Sequence, residues 1–369
     1  MAPYKAAVIG LGRMGSTFDD EITQGGSIFL PYCHTPAYVA SPLTTLVAGA
    51  DPHDEQRSIY GERWGLNNGH LYTDYREMLE QESPDVVSVC TTARVRAEIL
   101  IEVARSGAKA IWAEKPLALT LEEADEMVAV CDELGVRVAI NTARRYNPYF
   151  AHIRGRIDRG ELGDILQVNV HAQCGLSHNG SHAIDALRFL AQNGNVEWVF
   201  GEMESDEAAA GEDDLMGNGY LAFDNGIRGF LRSTPCGVAN WDTDVIGTEG
   251  RARTMYMCSG AEYTHLAEGG LRGRGVPVRS SVPFPASPEG MGITIIRDLL
   301  ESVEQKRRPR SSIHDGHQSL EIAMALRESH RRGGQRVDLP LANRSLRILS
   351  SETHGDSEPA RIRRLKAAK

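Results

Sequence analysis

The stretch that decides the fold of the first half of the chain is KAAVIGLGRMG, residues 5–15. It begins as a short apolar run, which is typical of a buried strand, and the run ends at Gly10. Gly12 and Gly15 complete the pattern G-x-G-x-x-G. Glycines in this pattern let the backbone approach a pyrophosphate, which is bound by N–H groups at the start of a helix. The context favours a dinucleotide site, and a glycine-rich turn without a ligand is the alternative.

An acidic residue closes the second apolar run, LTTLVAGAD, residues 43–51. A carboxylate at Asp51 would accept hydrogen bonds from ribose hydroxyls and repel a 2′-phosphate, so NAD is favoured over NADP. The alternative is that Asp51 is only a turn residue before Pro52. The spacing from the glycine motif exceeds the roughly 20 residues that are usual. Residues 16–33 are therefore predicted to be an inserted loop, either a lid or a surface elaboration.

Short apolar strands and amphipathic helices alternate through the rest of the first half. Strands are predicted at 85–91, 108–114 and 136–142 from their content of Val, Ile and Ala. Helices are predicted at 96–107 and 120–135 from the helical spacing of apolar residues. This alternation is typical of an α/β fold built on a doubly wound parallel sheet.

Length and composition restrict the class of protein further. A chain of 369 residues with 41% hydrophobic and 24% charged residues predicts two globular domains. The net charge of -10 disfavours nucleic acid and anionic membranes as partners, and we expect neither. The six cysteines are scattered without a C-x-x-C pair, which favours reduced thiols. With no signal-like segment at its start, we expect the chain to be cytoplasmic.

The segment AEKPLALTLEEA, residues 113–124, resembles the signature of the Gfo/Idh/MocA oxidoreductases, the glucose–fructose oxidoreductase and inositol dehydrogenase family. The resemblance extends from residue 5 to about residue 342 and includes INTARRYNP (140–148), RGELGDILQV (159–168), GSHAID (180–185) and IGTEGRARTM (246–255). It implies an N-terminal NAD-binding Rossmann domain, residues 1–142. An α+β substrate and oligomerisation domain with a large open, mainly antiparallel sheet would follow at 143–342. Residues 343–369 read as a polar, basic tail that is mobile or peripheral.

The second half, taken from its residues alone, also predicts a sheet. Strands are expected within 163–173, 217–234 and 240–257, and Asn225-Gly226 is a strong hairpin signal. A broad sheet face has to be covered, so we expect a homodimer or homotetramer formed through this sheet.

By the resemblance, Lys115 reaches the substrate hydroxyl that is oxidised, close to the nicotinamide, and the peptide bond that follows it is commonly cis. From the residues alone, Lys115 leaves the carboxyl end of a parallel strand, where doubly wound folds bind ligands. An ammonium group there can stabilise a developing alkoxide. The alternative is a surface lysine that pairs with Glu114.

The segment CGLSHNGSHAIDALRFL, residues 174–190, predicts a loop and then an amphipathic helix over 181–190, with Ser181 as its N-cap. In the resembling family this helix carries a histidine followed three residues later by an aspartate, a pattern that His182 and Asp185 match. The family histidine takes the proton of the substrate hydroxyl, and we assign that role to His182. The helix dipole favours the neutral imidazole that a base requires. A buried structural histidine is the alternative.

His178 departs from the family pattern, because many relatives carry an aspartate there. It would be a hydrogen-bonding partner or a second proton carrier, or else a loop histidine without a catalytic part. His178 and His182 lie four residues apart, as in some zinc sites, but no third ligand has a suitable spacing. We therefore predict no metal.

Arg144 and Arg145 follow the last predicted Rossmann strand and would bind a carboxylate or phosphate of the substrate, or else one of them would pin the domain interface. A second departure is CTTARVR, residues 90–96, where relatives often have Pro-Asn and a following histidine. The expected cofactor contacts are Gly10, Gly12, Arg13, Met14, Gly15, Asp51, Thr91, Thr92, Glu114 and Lys115. The expected substrate contacts are Lys115, Arg144, Arg145, His178 and His182, of which Lys115, His182 and His178 are the expected catalytic residues.

These observations together predict an NAD-dependent dehydrogenase or reductase that acts on a secondary alcohol carbon of a sugar, cyclitol or sugar derivative. Two alternatives stay open. One is glycoside cleavage by elimination through transient oxidation with tightly held NAD, and the other is a non-catalytic dinucleotide-binding regulator.

Overall fold

The computed structural model describes residues 2–22, 30–255, 260–283 and 289–350. They divide into two compact units. The first consists of the described residues of Met1–Ala118, Glu122–Asn147 and Ser287–His317. The second contains the remainder, chiefly Pro148–Ala286 and the chain from Gln318 onward. Residues 289–317 therefore pack with the first unit, although the sequence places them after the boundary at residue 142. The division into functional domains at that boundary stays a prediction.

The first unit is a parallel sheet with helices, as the sequence predicts. Its strands, within the described residues, lie in the order β3-β2-β1-β4-β5-β6, and all neighbours pair in parallel. They are β1 (Tyr4–Ile9), β2 (Thr44–Ala50), β3 (Leu71–Tyr72), β4 (Val86–Val89), β5 (Ala110–Ala113) and β6 (Arg137–Ile140). The helices are α1 (His34–Ala40), α2 (Asp54–Trp64), α3 (Tyr75–Glu82), α4 (Ala93–Arg105), α5 (Leu121–Leu134) and, from the later part of the chain, α9 (Met291–Glu304).

Burial explains why these short runs become strands. Every residue of β4 and β5 is buried, so both are covered by helices, which is what continuous apolar runs in parallel sheets require. Helix α4 packs against both strands, and α9 packs against β5, β6 and α1. The chain from residues 289–317 thus contributes to the core of the first unit.

The predicted insertion at 16–33 is built differently from a simple loop. A five-residue π-helical turn, Arg13–Thr17, begins within the glycine motif, and a 3-10 turn, Phe18–Glu21, follows it. The Asp19 carboxylate accepts hydrogen bonds from the backbone N–H groups of Tyr32 and Cys33, which ties the segment to the start of α1. Residues 23–29 lie outside the described residues, so the choice between a lid and a surface elaboration stays a prediction.

The second unit contains a mixed, mainly antiparallel sheet, which confirms the predicted fold class. Nine strands of the described chain lie in the order β14-β13-β12-β11-β7-β10-β9-β8-β15, and only β7 and β10 pair in parallel. They are β7 (Ile165–Ala172), β8 (Val196–Met203), β9 (Gly217–Phe223), β10 (Arg228–Ser233), β11 (Asp242–Gly247), β12 (Gly250–Met255), β13 (Gly260–Ala267), β14 (Val276–Ser281) and β15 (Val337–Asp338). The helices are α6 (Pro148–Asp158), α7 (Gly180–Leu190), α8 (Asp206–Ala210) and α10 (Ile313–Arg331), whose first turn belongs to the first unit.

The predicted hairpin joins β9 and β10. The N–H group of Gly226 donates to the carbonyl of Phe223 at 3.0 Å, and the N–H group of Phe223 donates to the carbonyl of Ile227 at 3.1 Å. Gly226 has a φ of +87°, in the left-handed region. The connection is therefore a three-residue loop that closes on a glycine, rather than a two-residue turn.

The segment after residue 342, expected to be mobile or peripheral, is anchored in its first part. Ile348 is completely buried, and its N–H group donates to the carbonyl of Leu119. Leu349 likewise donates to the carbonyl of Glu212. An apolar side chain and two backbone hydrogen bonds anchor this part to the second unit, and residues 351–369 lie outside the described residues.

Candidate active site

The glycine motif forms a tight turn that leaves room at one position. Gly10 has a φ of +89°, and a Cβ there would lie 2.9 Å from the carbonyl carbon of Cys90. A Cβ on Gly15 would lie 2.1 Å from the carbonyl oxygen of Gly10. Both glycines are therefore required by the packing of the turn itself. Gly12 is different, because nothing lies within 4 Å of a Cβ built on it. The space beside Gly12 is the cradle that a pyrophosphate would fill.

Asp51 lies at the end of β2 with its carboxylate turned toward this turn. Its Oδ2 atom accepts a hydrogen bond from the N–H group of Leu11 at 3.0 Å. Its Oδ1 atom accepts from the N–H group of His53 at 3.0 Å, and the His53 Nδ1 atom also lies 3.0 Å away. Arg57 donates to the backbone carbonyl of Asp51 and pairs with Asp54. Arg57 is thus already engaged by acidic and carbonyl oxygens, and the Asp51 carboxylate faces the turn.

The loop after β4 carries Thr91 and Thr92. Thr92 is the N-cap residue of α4 and is exposed, while the hydroxyl of Thr91 is buried without a hydrogen-bond partner among the described residues. An orphaned hydroxyl at the carboxyl end of a parallel strand is what a ligand in this position would satisfy. Arg13 and Met14 are half-buried in the turn that follows Gly12, and the Arg13 guanidinium pairs with Glu21.

Glu114 follows β5 and is the centre of a buried polar network. Its Oε1 atom lies 3.2 Å from Nε2 of His34 and accepts from the side-chain amide of Asn141 at 2.6 Å. Its Oε2 atom accepts from the backbone N–H group of Lys115 at 3.3 Å. Burial raises the pKa of Glu114, but the hydrogen bonds of His34 and Asn141 and the charge of Lys115 outweigh it, so the pKa lies below its usual range. Glu114 is therefore an ionised carboxylate next to Lys115.

Lys115 is half-buried at the end of β5, and the Lys115–Pro116 peptide bond is cis, as the resemblance implies. The backbone N–H group of Lys115 donates to the Glu114 carboxylate. Lys115 and the loop of Thr91 follow neighbouring parallel strands, so they lie at the same edge of the sheet.

Arg145 is buried within the first unit. Its guanidinium donates to the carbonyl of Arg310 at 3.0 Å and to the Asp315 carboxylate at 3.1 Å. Tyr146 donates to Asp298 at 2.9 Å in the same region. These contacts all lie within the first unit, so the alternative that one of the two arginines pins the domain interface stays a prediction. Arg144 is half-buried, and the substrate contacts expected of both arginines stay predictions.

Helix α7 carries His182 and Asp185, both of them buried. The helix begins at Gly180, with Asn179 as its N-cap residue, so the prediction of Ser181 as N-cap is wrong. The Ser181 hydroxyl instead donates to the carbonyl of His178 at 2.8 Å. The His182 ring meets the Trp241 ring edge to face at 5.9 Å. His182 therefore lies in the first turn of the helix, as predicted, and its ring packs against the ring of Trp241.

An aspartate that sequence reasoning missed organises the loop before α7. The Asp214 carboxylate accepts from the N–H group of Ser177 at 2.7 Å and from the N–H group of His178 at 2.6 Å. A Cβ on Gly175 would lie 2.6 Å from an Asp214 carboxylate oxygen. His178 carries no negative charge, but the Asp214 carboxylate, from the chain before β9, contacts its backbone N–H group. The acidic run GEDD, residues 211–214, carries no spacing that could have indicated this contact.

Among the described residues, no three His, Cys, Asp or Glu side chains are close enough together to hold a metal ion. No helix in the same residues is long and apolar enough to cross a bilayer.

Family models match most of the chain. The N-terminal model, described as an oxidoreductase family with an NAD-binding Rossmann fold, matches residues 4–142. The C-terminal alpha/beta domain model of the same family matches residues 154–339. The chain belongs to the Gfo/Idh/MocA oxidoreductase family. It is an oxidoreductase with an NAD-binding Rossmann domain, which confirms the resemblance read from the sequence.

Several relatives of this oxidoreductase are named as dehydrogenases of sugars or cyclitols. It is 28% identical to scyllo-inositol 2-dehydrogenase (NAD(+)) of Bacillus subtilis, over 67% of this chain and 72% of that enzyme. It is 26% identical to D-apiose dehydrogenase of Paraburkholderia graminis, over 78% of this chain and 81% of that enzyme. The structure of levoglucosan dehydrogenase with NADH and levoglucosan has a TM-score of 0.74 at 22% identity, and covers 92% of this chain and 100% of its own. That likeness shows the shared fold.

The residues of this oxidoreductase fit a dinucleotide at the carboxyl edge of the parallel sheet. The cradle beside Gly12, the Asp51 carboxylate and the orphaned Thr91 hydroxyl lie at the ends of β1, β2 and β4. Sequence reasoning missed His34, Asn141 and Asp214, which contact other functional residues only through the tertiary fold.

Proposed function

We propose that this oxidoreductase uses NAD, in preference to NADP, to oxidise or reduce a secondary alcohol carbon of a sugar, cyclitol or sugar derivative. The observation that carries the proposal is the position of Lys115 at the end of β5, on the sheet edge that also presents Gly12 and Asp51. Relatives named as dehydrogenases of an inositol and of a sugar support the substrate class.

NAD supplies the hydride acceptor when it is bound. In the oxidation direction, His182 would accept the O–H proton while the alcohol carbon gives up its hydrogen, with the bonding electron pair, to the bound cofactor, and a ketone would remain. The Lys115 ammonium stabilises the negative charge that develops on oxygen. Glu114 holds the backbone of Lys115, and Asp214 holds the loop of His178, which we propose as a hydrogen-bonding partner of the substrate or a second proton carrier.

Cofactor choice follows from charge. The Asp51 carboxylate is oriented by Leu11 and His53 and keeps lone pairs for the ribose hydroxyls. Arg57 is paired with Asp54, so a 2′-phosphate would meet a carboxylate without a compensating free cation from that residue.

The exposed face of the second sheet supports the expected homo-oligomer. Phe200, Tyr220 and Phe230 lie side by side on β8, β9 and β10, and their ring centroids are 5.1–6.2 Å apart. Phe200 is 41% exposed and Phe230 is 37% exposed, so this aromatic face is available to another copy of the chain. The five described cysteines form no disulfide with one another, which supports the expected cytoplasmic location.

The test is formation of NADH from NAD, with NADP in parallel, on free sugars, inositols, sugar phosphates, uronates and nucleotide sugars. Wild-type protein should turn over one substrate class with NAD. His182→Ala should lower the rate by about 10²- to 10⁴-fold and still bind NADH, because it removes a proton acceptor. His171→Gln is the matched control, since His171 is exposed on β7. A His182→Ala protein that retains the wild-type rate would overturn the assigned base.

A further inference from the structure

A buried arginine joins two loops at the carboxyl edge of the parallel sheet. Arg96 lies on the first turn of α4 and is 2% exposed. Its guanidinium donates to the carbonyl of Thr91, which follows β4, and to the carbonyl of Pro116, which follows β5. Because β4 and β5 are neighbouring parallel strands, one side chain holds both strand ends together.

Arg96 keeps its positive charge in this place. Burial lowers its pKa to about 10, which still leaves it protonated at neutral pH. The hydrogen bonds described above go to backbone carbonyls, and the Nε atom has no partner among the described residues. The negative charge of Glu114 raises the pKa of Arg96 and so opposes the effect of burial. A guanidinium with two forked donors is required for the double contact, which a lysine does not reproduce.

The order of the strands places this cation relative to a dinucleotide. Asp51, the expected ribose partner, follows β2 on one side of β1, and the glycine turn follows β1 itself. Strands β4 and β5 lie on the other side of β1. A dinucleotide that crosses β1 with its adenosine half at Asp51 therefore extends its nicotinamide half toward the loops that Arg96 joins.

We propose that Arg96 is a positioning residue for the nicotinamide half of the cofactor, and that its buried charge makes the site favour NADH over NAD⁺. The proposal rests on the proposed function, which places NAD at this edge. The nicotinamide ring carries a positive charge in NAD⁺ and none in NADH, so a cation beside it penalises only the oxidised form. The two hydrogen bonds of the Arg96 guanidinium also set the spacing of the loops after β4 and β5, which receive the nicotinamide ring.

The experiment measures Kd for NAD⁺, NADH and ADP-ribose by calorimetric titration of the full chain. ADP-ribose lacks the nicotinamide and reports the adenosine and pyrophosphate part alone. The proteins are wild type, Arg96→Met, Arg96→Lys and Arg327→Met. Arg327 is the matched control, because it is a fully buried arginine on α10 that likewise donates to backbone carbonyls, those of Gly211 and Asp213, in the second unit. At about pH 8.5 Glu114, whose pKa lies below its usual range, stays ionised in every variant.

We expect the ratio of Kd for NAD⁺ to Kd for NADH to fall about fivefold in Arg96→Met, because a buried unit charge has been removed. Binding of ADP-ribose should be unchanged. Arg96→Lys keeps the charge and should keep the ratio, but both nicotinamide cofactors should bind more weakly relative to ADP-ribose. Arg327→Met should lower the thermal stability without changing either comparison.

Each contrary result has a distinct meaning. An unchanged ratio in Arg96→Met, or a loss of ADP-ribose binding equal to the loss of NADH binding, overturns the inference and leaves the proposed function standing. Wild-type protein that binds neither NADH nor ADP-ribose overturns the proposed cofactor and the inference together. If Arg96→Met does not fold, Arg96→Lys decides, and equal weakening of NADH and ADP-ribose in that variant overturns the positioning role.

Discussion

The Nε2 atom of His34 lies 3.2 Å from the Oε1 atom of Glu114, and both side chains are buried. The His34 ring stacks on Trp112 with centroids 3.7 Å apart, and its Nδ1 atom lies 2.8 Å from the Ser88 hydroxyl. Burial lowers the pKa of His34, so a neutral imidazole supports an ionised carboxylate. The residue that precedes the candidate catalytic lysine is thus held by a helix that begins 80 residues earlier in the chain.

The first prediction concerns the pH dependence of stability. A histidine whose folded pKa is lowered must give up its proton to fold, so its cost to folding grows as pH falls below about 6.5. His34→Gln should lower the unfolding temperature at about pH 7.5, because it removes the stack on Trp112, and the difference from wild type should narrow toward about pH 5. Thermal unfolding followed by tryptophan fluorescence at several pH values measures this.

Thr35→Val is the control for His34→Gln. It removes a buried hydrogen bond to Tyr60 from the same helix but no group that titrates near neutral pH. Its difference from wild type should stay constant with pH. A constant difference for His34→Gln as well would contradict the neutral, buried imidazole.

The second prediction separates two glycines of the motif. Gly12→Ala should weaken NADH binding by about tenfold or more, because its Cβ would occupy the cradle, while the thermal stability stays near wild type. Gly15→Ala should destabilise the protein, since its Cβ would lie 2.1 Å from the carbonyl oxygen of Gly10. NADH titration and thermal unfolding of both variants check this. If Gly12→Ala binds NADH like wild type, the cradle does not hold the pyrophosphate.

The third prediction concerns cofactor choice. Asp51→Asn should weaken NADH binding by about 10-fold, because the ribose hydroxyls lose a charged acceptor worth about 1.5 kcal/mol or more. NADPH binding should change little or improve, because repulsion of the phosphate is removed while Arg57 stays engaged with Asp54. Fluorescence titration with both reduced cofactors measures the ratio. Equal weakening of both cofactors would show that Asp51 only supports the backbone of the glycine turn.

The fourth prediction assigns Asp214 a positioning role. Asp214→Asn should lower kcat by about tenfold or more, because one of the two N–H groups at Ser177 and His178 loses its acceptor and the charge disappears. KM should change less than kcat, and NADH binding should be unaffected. Asp224→Asn is the control, since Asp224 also accepts a backbone hydrogen bond, from Asn195 in an exposed turn. A parallel loss of kcat in both variants would indicate general destabilisation.

The fifth prediction concerns the aromatic face of the second sheet. Phe230→Glu should shift the protein from a dimer or tetramer toward a monomer, because a charge would be buried at the interface. Light scattering after size-exclusion chromatography reads the mass. Leu271→Glu, at a residue that is 82% exposed outside the strands, should leave the mass unchanged. A wild-type protein that elutes as a monomer would contradict the proposed homo-oligomer.

The sequence by itself predicted five of the six strands described in the first sheet, their parallel arrangement, and the positions of Gly12, Asp51 and Lys115 after strands and of His182 at the start of a helix. These carry local signals, because apolar runs, glycine spacing and strand ends are set by residues near one another in the chain. Only the tertiary structure decided what supports them. His34 meets Glu114, Asp214 meets His178, and Arg96 meets Pro116 across 80, 36 and 20 residues of chain. Single hydrogen bonds of this kind have no periodicity and depend on how helices pack on a sheet, so they become visible only when the chain is folded.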